Sequence, residues 1–306
     1  MDRLESMQVL LAIVAAGSLS AAGRQLGMPL ATVSRKLSEL EAHLKTQLLL
    51  RSTRQLTLTE AGRNYVAACQ RILDEVHDAE RAAAGEFSAP RGELVVSAPI
   101  VFGRLHLLPV MCEFLQHYPD VKVRLALSDR NVNLLEDHVD LALRIGSLPD
   151  SGMTAAPVGT IARIVCASPV YLAEHGRPLS PYDLSGHGCV SFDVLGVADR
   201  WRFSMGGAEV AIPIQPRLAT NTAEAAIDAA IAGLGVTCVL SYQVEEALRT
   251  GQLAVLLREF EPAAIPVSLL YLGHSYLPLK LRALRDFAVP RLRARLQGAN
   301  ATLMEQ

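Results

Sequence analysis

Cysteine, aromatic residues and long apolar runs are scarce in this chain of 306 residues, and each shortage excludes something. The five cysteines (Cys69, Cys112, Cys166, Cys189, Cys238) are odd in number and none stands at CxxC spacing. That argues against a disulfide framework and a structural zinc site, and predicts buried, reduced thiols. The longest early apolar run, residues 9–16, is too short to span a bilayer. The start, Met1-Asp2-Arg3-Leu4-Glu5, has no basic region ahead of it, and Asp2 with Glu5 suits a helix cap rather than a signal peptide. A cytoplasmic protein with no membrane partner is the expectation. The GxSxG, HExxH and P-loop patterns are missing. Gly233-Leu234-Gly235 begins like a dinucleotide loop but lacks the third glycine, and a strand follows where a helix is required. The eight histidines show no ligand spacing, so neither a metal nor a cofactor is expected. Internal repeats and low-complexity tracts are also missing.

What is present is apolar and long enough for two or three domains: half the residues are hydrophobic and a fifth charged, a globular balance. The net charge of −2 hides an asymmetry. Residues 1–63 hold eight basic and five acidic residues, a surplus of three, which leaves −5 for the remainder. A basic head on an acidic body suits a nucleic-acid-binding module attached to something else.

Residues 18–44 read SLSAAGRQLGMPLATVSRKLSELEAHL. Ser18 caps a short helix in which the small Ala21 and Ala22 permit a close crossing. Gly27 turns the chain, and Pro29 suits a first helical position because its missing N–H would be unbonded there. The next helix puts Val33, Leu37, Leu40 and Leu44 on one stripe. Its other face carries Thr32, Ser34, Arg35, Lys36 and Ser38, donors and cations that can meet base edges and phosphates in a major groove. An ordinary helical hairpin would show the same stripe. Residues 48–62, LLLRSTRQLTLTEAG, tip the balance. Arg51 and Arg54 flank a small polar turn, Leu56-Thr57-Leu58 alternates as a strand, and Thr59 caps a new helix. That is a wing holding two guanidinium groups at phosphate height.

These two stretches resemble the LysR-type transcriptional regulators, and the resemblance covers essentially the whole chain. Two positions depart from the commonest family pattern. Pro29 stands where Ser is frequent, and Leu30 where a Gln often touches bases, so operator preference does not carry over. The resemblance implies a fold of class α/β: an N-terminal winged helix-turn-helix (1–58), a long linker helix (59–89), and a two-lobed periplasmic-binding-protein-like α/β effector domain (90–306). Lobe I takes about 90–160 and 266–306, and lobe II about 161–265. It implies promoter DNA as partner, a small-molecule effector, and self-association as a dimer or dimer of dimers.

From 59 to 87 one long helix is predicted, with Val66, Cys69, Leu73 and Val76 at steps of three and four and a polar break at Glu80. Such a stripe suits either a helix lying on its own domain or a dimer seam. The position between domains, and the family's use of this helix, favour the seam. Residues 88–92 break the helix. Strands are expected at 93–98, 121–127 and 140–146, with helices at 103–117 and near 133–138. Beyond them come strands at 161–167, 189–192, 201–203, 210–219, 235–240 and 266–272, and helices at 169–175, 221–233, 241–250 and 277–295. This rhythm predicts parallel sheets covered by helices.

Ligands of such lobes sit beyond the carboxyl ends of strands. Three segments qualify: Ser97-Ala98-Pro99 through Phe102, Arg144 at the end of a strand, and Asn221-Thr222 opening a helix. Plain helix capping accounts equally well for Ser97 and Thr222, and a structural ion pair for Arg144. Phe192 and Trp201 suit core packing better than a pocket wall. None of the three segments contains Asp or Glu, so the first expectation is an anionic or carbonyl-bearing effector. A solute-binding protein and a small α/β enzyme with a regulatory head are the two other classes that share this body.

Overall fold

The computed structural model describes residues 2–51, 56–83, 89–130, 134, 137–148, 153–192, 199–273 and 277–304. The chain divides into two compact units, Met1–Gly92 and Glu93–Gln306.

In the first unit, α1 (Arg3–Ala16) is capped by the Asp2 carboxylate and closed by Gly17 in the left-handed region. α2 (Leu19–Leu26) is capped by Ser18 and closed by Gly27. α3 (Leu30–Leu44) starts one residue later than expected, with Pro29 as its extended cap. β1 (Leu49–Arg51) and β2 (Leu56–Leu58) pair antiparallel, and α4 (Glu60–Ala83) follows. Thr59 caps α4, its hydroxyl accepting from Gly62 N–H at 2.9 Å. The wing is anchored by Glu41, whose carboxylate accepts from the N–H groups of Leu48 (2.8 Å) and Leu49 (3.1 Å). Gly62 is required where it stands: a Cβ there would lie 2.1 Å from the Leu48 carbonyl oxygen. Leu10, Ile13, Ala22, Val33, Leu37, Leu40 and Leu48 fill the small core.

The second unit opens with β3 (Gly92–Ala98) and a continuous helical stretch: α5 (Ile100–Phe102), a π turn (Gly103–Leu107) and α6 (Leu108–His117). Then come β4 (Val121–Leu127), β5 (Leu141–Ile145) and β6 (Met153–Ile161). The chain next enters a second sheet with β7 (Arg163–Ala167), α7 (Pro169–His175), a 3-10 turn (Pro181–Gly186) and β8 (Cys189–Phe192). β9 (Arg200–Met205), β10 (Ala208–Pro213), β11 (Pro216–Thr220), α8 (Ala223–Ile231), β12 (Val236–Leu240), α9 (Ser241–Arg249) and β13 (Ala254–Leu256) follow. It returns to the first sheet with β14 (Ile265–Leu272) and closes with α10 (Leu279–Met304).

The sheet orders are β4-β3-β5-β14-β6 and β11-β8-β12-β7-β13. Neither is purely parallel, which corrects the expectation. β14 runs antiparallel to both β5 and β6, and β7 antiparallel to β12 and β13. The returning strand must reverse direction because it comes from the other lobe instead of from a covering helix. Two strands escaped sequence reading. β6 carries Pro157 and Gly159, which read as breakers; it lies at the sheet edge, where a missing N–H is tolerated. β13 is three residues long. The single strand expected at 210–219 is two strands: β10 forms a ribbon with β9, while β11 joins the second sheet. The prolines at 213 and 216 divide them. Much of the short helix expected near 133–138 lies outside the described residues.

Candidate nucleic-acid interface and ligand cleft

α3 divides cleanly. Val33, Leu37 and Leu40 are buried against Ala22 and α1, while Arg35 and Ser38 are exposed and Thr32 and Ser34 half-exposed. The turn before it is tight: a Cβ on Gly23 would stand 2.8 Å from the Met28 carbonyl oxygen. Arg35 reaches Glu39 at 3.0 Å across exposed surface and stays available. Lys36 differs from the expected pattern. Its ammonium pairs with Glu5 on α1 and its side chain is only 14% exposed. It stands on the flank of the buried stripe, so α1 captures it. Leu30 is exposed at the start of the helix. Arg51 ends β1, its side chain outside the described residues, as is Arg54.

In the second unit the strand-end segments meet through the loop after β4. The Ser128 N–H donates to Ala98 O at 2.9 Å, and the Ile100 N–H to the Asp129 carboxylate at 3.0 Å. The Arg144 guanidinium donates to Arg130 O at 3.4 Å. Burial draws its pKa down while Asp137 pulls it up. Ser97 is buried, its hydroxyl lacking a hydrogen-bond partner among the described residues. Pro99 precedes α5 and its carbonyl accepts from Gly103 N–H at 2.7 Å. Phe102 corrects its assignment as a ligand contact: it is fully buried, its ring 5.1 Å from Tyr242 of α9 and 4.8 Å from His106. It is therefore a contact between lobes. Thr222 is exposed and caps α8, accepting from Ala225 N–H at 3.4 Å; Asn221 is exposed beside it. Trp201 sits in the core of lobe II and Phe192 packs against its other core, as packing arguments expected.

The premise of a cleft without carboxylates does not survive. Asp129 already occupies the first N–H of α5. Burial above all, then the Asp129 charge, with a smaller push from Glu224 on α8, raises the Tyr242 phenol above its ordinary range. Both lobes therefore bring a carboxylate to the vicinity of Tyr242.

The family description "Bacterial regulatory helix-turn-helix protein, lysR family" matches residues 4–63, and "LysR substrate binding domain" matches residues 88–293. The chain belongs to the LysR family. It is 33% identical over 300 residues to the probable HTH-type transcriptional regulator LtrA of Klebsiella pneumoniae, covering 96% of this chain and 97% of that one. It is 36% identical over 298 residues to the HTH-type transcriptional regulator CrgA of Neisseria meningitidis, covering 96% and 98%. The solved structure of CrgA aligns with a TM-score of 0.61 at 34% identity over 94% of this chain and 98% of that one. This LysR-type protein is thus a DNA-binding transcriptional regulator, and its relatives carry the names of regulators rather than enzymes. Its family self-associates and takes small effectors. No single helix among the described residues is long and apolar enough to cross a membrane.

The regulator's α4 corrects the seam read from sequence at Cys69 and Leu73. Cys69 and Leu73 are buried in the head's own core, and Val66 packs against it. Only Val76 of the four lies outside that core cluster, half-buried. The stripe faces α1 because a lone amphipathic helix buries its most apolar side first. Apolar positions facing out include Ile72, 38% exposed, Ala67 and Ala79, with the half-buried Ala68 a turn before Ile72. On the other face of α4 an open groove of about 510 Å³, lined by Leu11, Val14, Leu26 and Val66, runs between α1, α2 and α4. All five thiols are free and four are buried, but Cys112 is exposed, against expectation. Burial pushes Cys69, Cys189 and Cys238 up to about 11 and Cys166 higher still, so these four are poor nucleophiles.

Sequence reasoning missed Asp129, Tyr242 and His106. Asp129 was within reach, because the strand-end rule applied to β4 as it was to β3 and β5 leads straight to the Ser128-Asp129-Arg130 turn. Tyr242 and His106 gave no such signal, since their role depends on the two lobes meeting.

Proposed function

We propose that the regulator reads promoter DNA with the outward face of α3. Thr32, Ser34, Arg35 and Ser38 meet base edges and adjoining phosphates, and Arg51 and Arg54 of the wing hold the backbone. Lys36 joins them when a phosphate draws it from Glu5. The observation that carries this reading is the division of α3 into a buried apolar stripe and an opposite face of donors that includes the exposed Arg35 guanidinium, paired only with its neighbour Glu39 among the described residues. Arg54→Ala should weaken binding to every sequence and lower the slope of log K against log salt by about 1. Arg35→Ala or Ser34→Ala should change which sequences are preferred. Wild-type footprints from both Arg variants would refute the assignment.

Two copies pair through the outer face of α4, with Ile72 and Ala79 in place of Cys69 and Leu73, so that two heads meet two half-sites; two such dimers then associate. Ile72→Asp should yield a monomer by sedimentation and lose operator affinity, while Cys69→Ser lowers head stability instead. A small organic effector occupies the cleft bordered by Ser97, Ala98, Pro99, Arg144, Asn221 and Thr222. It acts by shifting lobe closure, by no more than its differential affinity for the two states. DNA as the target places the protein in the cytoplasm.

A further inference from the structure

Among the described residues of the second unit, three of the exposed large apolar side chains stand at strand ends of lobe I. Ile100 (39% exposed) follows β3, Leu127 (36%) ends β4, and Leu148 (37%) follows β5. Three successive strands thus end in an uncovered apolar group on the side where a ligand would sit. Leu127 packs on the helical stretch that Ile100 opens. A Cβ on Gly103, one turn along from Ile100, would lie 2.3 Å from Leu127 Cδ2, so the missing side chain lets Leu127 lie down on the helix. Beside this shelf the charges cancel. Asp129 is fixed on the Ile100 N–H and Glu224 enters from α8, while Arg144 and Arg130 stand on the same loop junction. A second observation points to a ligand at the same strand end: the Ser97 hydroxyl, almost completely buried, has no hydrogen-bond partner among the described residues.

We propose that the effector is an uncharged molecule with an apolar carbon body, ring-bearing or alkyl, and one hydrogen-bonding group such as a carbonyl or hydroxyl. The body lies on Ile100, Leu127 and Leu148, and the polar group satisfies Ser97 as the lobes adjust. This rests on the reading of the cleft as the effector site. A carboxylate would meet Asp129 at the helix start, where an acid is already bound. An ammonium would meet the Arg144 and Arg130 side. A polyhydroxylated ligand would leave three apolar side chains wet.

The test is calorimetry on the full chain with acetophenone, benzyl alcohol, benzoate, benzylamine, succinate and glucose. Acetophenone and benzyl alcohol should bind at least tenfold more tightly than any of the four others. Leu127→Asn should weaken that binding about tenfold. Ile100→Thr, a milder change at an exposed position, should weaken it severalfold with melting unchanged, which separates contact from misfolding. Benzoate, benzylamine, succinate or glucose binding as tightly as the neutral pair, with loss in Arg144→Ala or Thr222→Ala, overturns the ligand class and leaves the cleft reading standing. Binding of the neutral pair that survives every one of these substitutions overturns the cleft reading itself. Failure of the neutral pair to bind overturns the proposal.

Discussion

The proposed reading surface of the head and the proposed effector cleft of the body are built in opposite ways. The head's surface is one face of α3, and its members lie within seven residues of one another, from Thr32 to Ser38. The proposed cleft draws on residues near 97–102, 127–130, 144–148, 221–224 and 242, which belong to elements of two different sheets and the helices on them. A helix stripe fixes its own outer face as soon as its inner face packs. A cleft depends on every crossover. The head should therefore be the more fragile fold with the more robust surface, and the body the reverse.

The largest expected effect tests the fragility. Leu10→Ala in the head and Leu143→Ala in the body each remove a fully buried leucine, at a cost of about 2–5 kcal/mol. Among the described residues the head's core holds 13 buried side chains and the main cluster of the body 24. A smaller unit has a smaller unfolding entropy, so each kcal/mol moves its Tm by roughly 4–8 °C against 2–4 °C for a unit of the body's size. Calorimetry should show two transitions, with Leu10→Ala shifting its own about twice as far. One transition moved equally by both would break the comparison.

The second effect is confined to the body and depends on pH. His106 sits in the π turn, its ring 5.7 Å from Tyr242, with both nitrogens lacking partners among the described residues. Burial, aided by the Arg295 charge, lowers its pKa from 6.5 to about 4. The unfolded chain takes up this proton below 6.5 and the folded chain only below about 4. Between those values the unfolded state binds more protons, so stability falls as pH falls; above 6.5 the group contributes nothing. The full loss is on the order of 3 kcal/mol. Tyr242, Phe102 and the Arg295 charge stand around it among the described residues. Urea unfolding of His106→Phe should show a flatter dependence between pH 7 and 4 than wild type. An unchanged slope would place the acid sensitivity elsewhere.

The same contrast explains what could be read from residues alone. The caps at Ser18 and Thr59, the stripe at Val33, Leu37 and Leu40, and the turn at Gly27 are local signals that α3 and its neighbours obey. The seam of α4 misplaced Cys69 and Leu73 because periodicity reports an apolar face and not its partner. Cys69 and Leu73 satisfy a heptad and a domain core equally well. In the body, βα alternation placed most elements, yet the antiparallel return of β14 and the edge strand β6 were hidden, since pairing direction and edge position belong to topology. Asp129 was hidden for a simpler reason, lying beyond a strand end that was not followed.

A third effect sharpens the account of the head. Glu5→Gln removes the partner of Lys36, a pair between a mostly covered ammonium and a half-exposed carboxylate. The cost in stability should stay within about 1 kcal/mol. Freed, Lys36 can take a phosphate, so affinity for DNA at low salt should rise and the salt slope should steepen by about 1. Weaker binding at all salt concentrations would mean that the pair orients α3 on α1, and that Lys36 has no part in phosphate contact.

The smallest effect compares two caps of the same kind. Ser18 accepts from Ala21 N–H at 3.2 Å in the head, and Thr222 from Ala225 N–H at 3.4 Å in the body. Either hydroxyl replaced by Ala should cost about 1 kcal/mol. Ser18 faces no ligand, so Ser18→Ala should lower the melting of the head with no change in effector affinity. Thr222 stands at the cleft, and Thr222→Ala should lower both. Thr222→Ser separates the two contributions, because it keeps the cap oxygen and removes only a methyl group. Stability restored by Ser with affinity still reduced would show that the methyl touches the effector's apolar body. Stability and affinity restored together would assign the whole effect to the hydroxyl. Affinity untouched in Thr222→Ala would leave Thr222 as a cap alone, no different in kind from Ser18.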